Sequence, residues 1–111
     1  MTQGQAYDRD KLVELFGDDP RTLAEVEREF LDTAREAARE IKGTDDLTVI
    51  ARAAHRLKGA SGMIGALALR KIAEAVERAA KAEDLSAVRR LRELFDHEVR
   101  RVAEQAGLAV E

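Results

Sequence analysis

Cysteine and tryptophan are absent from the 111 residues, proline occurs once, and aromatic residues make up only 4%. Without cysteine there is no disulfide framework, no thiolate metal site and no cysteine nucleophile. The two histidines, His55 and His97, are far apart in the chain, which argues against a zinc site. No apolar run approaches the ~20 residues of a membrane span, and the N-terminus lacks a signal-peptide core, so no membrane contact is expected and the expected location is cytoplasmic. Glycine loops of the GxxxxGK[ST] and GxGxxG types are missing, as is a carboxylate cluster suited to magnesium, so the chain carries no sign of a nucleotide site or of a metal or other cofactor of its own. Charge of one sign is also lacking. There are 19 Lys and Arg against 22 Asp and Glu, interspersed, and the net charge of -3 gives no global attraction to nucleic acid or to an anionic membrane.

What is present is charge, at 37% of residues, and aliphatic side chains in helical register. The length fits one domain with a core of Leu, Val, Ile and Ala. Residues 1–7 read as a flexible N-terminal arm, 8–107 as one helical domain and 108–111 as a frayed C-terminus. Asp8 is expected to cap a short helix carrying Leu12, Val13, Leu15 and Phe16, ended by Gly17, that acts as a lid on one end of the domain. Asp19-Pro20 is a strong helix start; from there Leu23, Val26, Phe30, Leu31, Ala34, Ala37, Ala38 and Ile41 recur at helical spacing until Gly43.

Thr44, Asp45 and Asp46 offer caps for a helix through Leu47 and Ile50 that fades at Gly62 to Gly65. Leu67, Leu69, Ile72, Ala73, Val76, Ala79 and Ala80 form the stripe of a further helix, and Leu85, Val88, Leu91, Phe95, Val99, Val102 and Ala106 that of a last one. No stretch alternates as a strand would. The expected fold is therefore all-α, an antiparallel up-down-up-down four-helix bundle with a short extra N-terminal helix. With no second apolar stripe in view, a monomer is expected.

The stretch around His55 stands apart. At about 100° per residue, Leu47, Ile50, Ala54, Leu57, Ser61 and Ile64 fall on one core-facing stripe, and His55 lies roughly 120° from its centre, at the border with water. Lys58, Gly59 and Gly62 follow His55 at the spacings that make helical neighbours. Glycine inside a helix costs about 0.5–1 kcal/mol relative to alanine, so two beside one histidine need a reason, and open space next to the ring is one. An imidazole with its ordinary pKa of about 6.5 is a nucleophile at neutral pH and can take up a covalent group; a phosphoryl group would find a suitable partner in an ammonium one turn away. The competing reading is a solvated histidine beside glycines that serve helix packing. Geometry alone leaves both open.

The run His55-Arg56-Leu57-Lys58-Gly59-Ala60-Ser61-Gly62-Met63-Ile64-Gly65-Ala66 resembles the signature of histidine-containing phosphotransfer (HPt) domains of multistep bacterial two-component phosphorelays, in which His-x-Leu-Lys-Gly precedes a small-residue run and Gly-Ala. The likeness extends more loosely from about Leu15 to Val99. It implies a four-helix bundle and a phosphocarrier, not an enzyme, in which His55 accepts a phosphoryl group from a receiver-domain phospho-aspartate and relays it to another response-regulator receiver. It further implies that Lys58 stabilises the phosphoryl oxygens, that Gly59 and Gly62 give clearance, and that magnesium sits on the receiver partner. Receiver domains, or a hybrid sensor histidine kinase, are the implied partners.

Around this site Arg52 and Arg56 make a basic rim, Arg70 and Lys71 extend it if the next helix packs close by, and Met63 is the candidate docking residue, with Ile64 assigned to the core. His97, between acids and without lysine or glycine at helical spacing, reads as an ordinary exposed residue. Two other classes remain: a noncatalytic interaction bundle, against which the intact His-x-x-Lys-Gly speaks, and the dimerisation-phosphotransfer segment of a histidine kinase. The latter precedes an ATP-binding domain and typically has an acid where this chain has Arg56.

Overall fold

The helices begin where an aspartate can take up free N–H groups. Asp8, Asp19, Asp46 and Asp84 each accept from a backbone N–H of the first turn, at the heads of α1 (Arg9–Phe16), α2 (Pro20–Lys42), α3 (Leu47–Met63) and α5 (Leu85–Leu91). The exceptions are α4 (Leu67–Lys81), headed by Ala66 with no side-chain cap, and the last helix, headed by Leu94 and also without one. A 3-10 segment (Arg92–Leu94) joins α5 to α6 (Phe95–Ala106). In this computed structural model residues 5–108 are described, and among them every regular element is helical.

The helical stripes meet in one aliphatic core. α2 contributes Leu23, Leu31, Ala34, Ala37 and Ile41, α3 Ile50, Ala53, Ala54 and Leu57, and α4 Leu69, Ala73 and Val76, while Val88, Phe95, Val102 and Ala103 close the far side. α2 packs against α3 and α6, and α4 against α5 and α6; the broadest contact is between α3 and α4. Alanines on both of those faces allow the two helices to approach closely. The molecule measures 43 by 25 by 24 Å, a cross-section that two helices of about 10–12 Å fill in each direction.

Between α3 and α4 the chain turns on Gly65, whose φ is +69°; a Cβ there would also lie 2.7 Å from the Cβ of Asp8. Conformation and space both require glycine at this position. The amide of Asp8 donates to the Ile64 carbonyl at 2.9 Å, so α1 is tied to the end of α3.

Four expectations are corrected. The N-terminal arm is not loose at its inner end: Ala6 and Tyr7 are buried, their amides donate to Oε1 of Gln105, and the Gln105 amide returns a bond to the Tyr7 carbonyl at 3.0 Å. The rest of that expectation, residues 1–4, lies outside the described residues, as do 109–111 of the expected frayed end. Leu108 is not frayed, because its N–H donates to the Ala103 carbonyl at 2.9 Å past a left-handed Gly107. The last helix is interrupted at Arg92–Leu94, where the half-buried Arg92 turns its guanidinium onto the carbonyls of Ile41 and Thr44 at 3.3 and 3.0 Å and so caps the end of α2. Finally, Leu67 opens α4 exposed rather than in its stripe, and of the apolar residues on α1 only Leu12 is buried; Val13, Leu15 and Phe16 face solvent.

Candidate functional site

His55 lies midway along α3, at the edge of its buried face, and 68% of its side chain is exposed. Its Nδ1 is 2.8 Å from Oε2 of Glu77, a carboxylate on α4 of which only 6% is exposed. The same carboxylate takes Nζ of Lys58 at 2.7 Å on Oε1 and Nζ of Lys81 at 3.2 Å on Oε2. Three nitrogens therefore converge on one buried acid. The Lys58 ammonium, hydrogen-bonded to it, holds the Glu77 carboxyl down at about 2 in spite of burial, and Lys81 and His55 act in the same direction.

This ionisation state settles the tautomer of the ring. An ionised carboxylate can only accept, so Nδ1 must carry a hydrogen, and in the neutral imidazole the lone pair is on Nε2. The arrangement can thus present an unprotonated ring nitrogen to solvent, with an acid behind the ring to compensate positive charge that develops on it.

The basic rim is present but divided. Arg52, His55, Arg56, Glu77 and Lys81 line one shallow depression with Ala51. Arg56 is turned away onto Glu40 of α2, Nη2 to Oε2 at 2.8 Å, whereas Arg52 makes no ion pair among the described residues. The glycines also differ from each other. A Cβ on Gly59 would meet nothing within 4 Å, but at Gly62 it would press on Cδ of Arg70 at 3.3 Å. Clearance therefore exists at Gly59, while the space over Gly62 is taken by an arginine. Arg70 lies over Gly62 and does not line the depression that holds His55.

Met63 is 55% exposed and Ile64 is buried in the core, which separates the two as expected. His97 is exposed, with Nε2 4.0 Å from Oε1 of its neighbour Glu98 and no lysine beside it. Sequence reasoning missed two participants, Glu77 and Lys81. The signal for Glu77 was legible: it takes a place in the apolar stripe of Ala73, Val76 and Ala80 on α4, and an acid there must be paired.

Among the described residues no helix is long and apolar enough to cross a membrane. No curated protein and no solved structure matches the chain. The family model of the Hpt domain matches residues 12–105, a span that holds His55, Lys58, Glu77 and Lys81 and nearly all of the bundle, and the chain belongs to the Hpt domain family.

Proposed function

We propose that this chain is a phosphocarrier whose phosphoacceptor is Nε2 of His55, charged by a receiver-domain phospho-aspartate and discharged to the aspartate of another response-regulator receiver. Hpt domains carry out histidine phosphotransfer in phosphorelays and interact with receiver domains and kinases. The single observation that carries the assignment to His55 is the bond from its Nδ1 to the buried, ionised Glu77.

In the forward step the lone pair of Nε2 attacks phosphorus. An Nε2–P bond forms, the O–P bond of the acyl phosphate breaks, and the aspartate carboxylate leaves with the electron pair. Nδ1 keeps its proton, and Glu77 balances the charge on the ring. Lys58 has three donors and gives one to Glu77, so others are available for phosphoryl oxygens. Arg52 adds local positive potential, as Arg56 does from farther off. The chain needs no resident cofactor; magnesium and most of the transfer machinery belong to the receiver. An antiparallel up-down-up-down four-helix connectivity, a monomeric state and a bacterial cytoplasmic setting, without nucleic acid or membrane contact, complete the reading.

Incubating the chain with a panel of radiolabelled phosphorylated receivers tests it. Label is expected on the unmodified chain, lost in acid and stable in base, and absent from His55→Gln; label that survives on His55→Gln refutes the assignment. Lys58→Ala is expected to slow transfer by about 10²-fold while the helical circular dichroism stays unchanged, and a kinetically silent Lys58→Ala removes the lysine from the mechanism.

A further inference from the structure

The seam between α2 and α6 gathers cations that the proposed phosphotransfer does not use. Spacings of four and three residues put Arg35, Arg39 and Lys42 on one face of α2, and Asp96, Val99 and Arg100 recur in the same way on α6. The two faces form a cleft of about 490 Å³ that includes the apolar side chains of Ala38 and Val99 together with the four cationic ones, a size within the range of small-molecule sites. α2 packs against α3 and α6 on its two flanks, so the cleft lies across α2 from the seam of α3 and α4 that carries His55 and Glu77.

Part of this charge is accounted for within the fold. Nζ of Lys42 meets Oδ2 of Asp96 at 2.6 Å. The carbonyl end of α2, which favours cations, already has the Arg92 guanidinium on the carbonyls of Ile41 and Thr44. Arg39 and Arg100 are left over: both are exposed, and neither forms an ion pair among the described residues. Acids close to them in the chain are engaged elsewhere, Glu40 with Arg56 at 2.8 Å and Glu98 with Arg101 at 2.9 Å. In a protein of net charge -3, two guanidiniums from two helices thus line one concave space without a counter-charge, at an electrostatic cost that an anion would remove.

We infer that this cleft binds a compact polyanion of the polyphosphate class, free or carried on a nucleotide, with Arg39 and Arg100 as its principal donors. The planar guanidinium offers its N–H groups to phosphate oxygens in pairs, and donors on two facing helices suit a ligand with more than one charged group. Asp96, with 67% of its side chain exposed, is the only carboxylate lining the cleft; a stronger anion displaces it from Lys42. The inference does not rest on phosphotransfer at His55, since the two sites share no residue.

Titration of the unmodified chain with inorganic tripolyphosphate in low-salt buffer, followed by amide NMR, tests it. Saturable shifts are expected at Gly43 and Val99, with Gly59 and Arg52 beside the phosphoacceptor left in place. In Arg39→Gln/Arg100→Gln, with a melting temperature matching the parent, the dissociation constant is expected to rise about tenfold or more. Asp96→Asn removes the competing carboxylate and is expected to tighten binding about two- to fivefold, a gain that a merely structural ion pair would not give. ATP that binds more tightly than tripolyphosphate identifies the nucleotide-borne form, and ATP that binds no more tightly identifies the free one.

A double variant that binds as the parent does, or shifts gathered at Gly59 and Arg52 in place of Gly43 and Val99, overturns the site. A hexaglutamate peptide that occupies the cleft at least as tightly as tripolyphosphate overturns the ligand class and makes the seam a surface for an acidic protein. Absence of saturable shifts at Gly43 and Val99 up to millimolar tripolyphosphate overturns the inference altogether, and none of these results bears on labelling of His55.

Discussion

Glu27 on α2 and Glu77 on α4 both occupy places in an apolar stripe and both are buried, yet one secures a phenol sealed in the core and the other an imidazole that faces water. Glu27 receives the hydroxyl of Tyr7, itself only 2% exposed, and lies 3.6 Å from the Arg9 guanidinium. Glu77 receives His55, Lys58 and Lys81. The difference teaches that a buried acid does not by itself mark a functional site. What separates the two is the exposure of the group being held, and whether that group retains a free reactive atom. Tyr7 has spent its only polar hydrogen inside the core, while His55 keeps Nε2 outside.

The sharpest test removes each acid in turn. Glu77→Ala frees the imidazole to change tautomer and rotate, and a misplacement of about 1 Å at a reacting atom is worth about 10²-fold in rate. Transfer to Glu77→Ala is therefore expected to fall by about that factor, with ring-nitrogen NMR showing hydrogen shared between Nδ1 and Nε2 of His55. Glu27→Ala is expected to leave transfer within about twofold at a temperature where circular dichroism shows the variant folded. Equal losses in both would mean that the acids act through the bundle and not through the ring.

Next in size is an effect on stability with the opposite pattern. Tyr7→Phe removes the hydroxyl that reaches Glu27 and leaves a buried acceptor with a distant arginine, a change that costs about 1–3 kcal/mol and should show in urea unfolding while transfer kinetics stay as in the parent. The two clusters also answer to opposite ends of the pH scale. Glu77 is lowered in the folded protein, to about 2 from 4.5, so its contribution is complete above the unfolded value and is lost as pH falls through that interval. Tyr7 is raised from 10, first by burial and then by Glu27; its contribution is complete below the unfolded value and is lost as pH rises beyond it. The stability gap between the parent and Glu77→Ala is thus expected to shrink in acid, and that between the parent and Tyr7→Phe to shrink in alkali. A Glu77 gap that is flat from pH 5 to pH 2 would contradict the charge assignment, since the ordinary glutamate range near 4.3 falls within it.

How far each cluster can be read from the sequence follows from the distance its partners span. Asp19-Pro20, Gly17 and Gly43 act within one turn of chain, and the structure uses all three at the predicted places; of the three caps that Thr44, Asp45 and Asp46 offer for α3, it uses Asp46. The placement of His55 at the border of the α3 stripe is likewise a matter of angles within a single helix. Glu77 is different, because its pairing with His55 crosses 22 residues and two helices, and periodicity says nothing about which side chain of α4 will face which of α3. An acid in an apolar stripe does say that a partner exists, and both Glu27 and Glu77 could have been flagged on that ground. Tyr7 was illegible for the same reason in stronger form: the segment Ala6–Tyr7 has no period of its own, and what orders it is Gln105, almost a whole chain length away.

The smallest effects concern the outer cation of each cluster. Lys81 has 67% of its side chain exposed and Arg9 52%, against 29% for Lys58. An ion pair with one partner that far into water is screened and has to hold a long side chain still, so its net worth is about 0–1 kcal/mol. Lys81→Ala and Arg9→Ala are each expected to destabilise by no more than that, and less at high salt. For Arg9 nothing further follows, because the phenol of Tyr7 still satisfies Glu27. For Lys81 a second consequence is available: its Nζ shares Oε2 of Glu77 with His55, so its removal lets the carboxylate lean fully on the ring. Transfer in Lys81→Ala should then be unchanged or slightly faster. A loss approaching that of Lys58→Ala would mean that the exposed ammonium, and not only the half-buried one, meets the phosphoryl group.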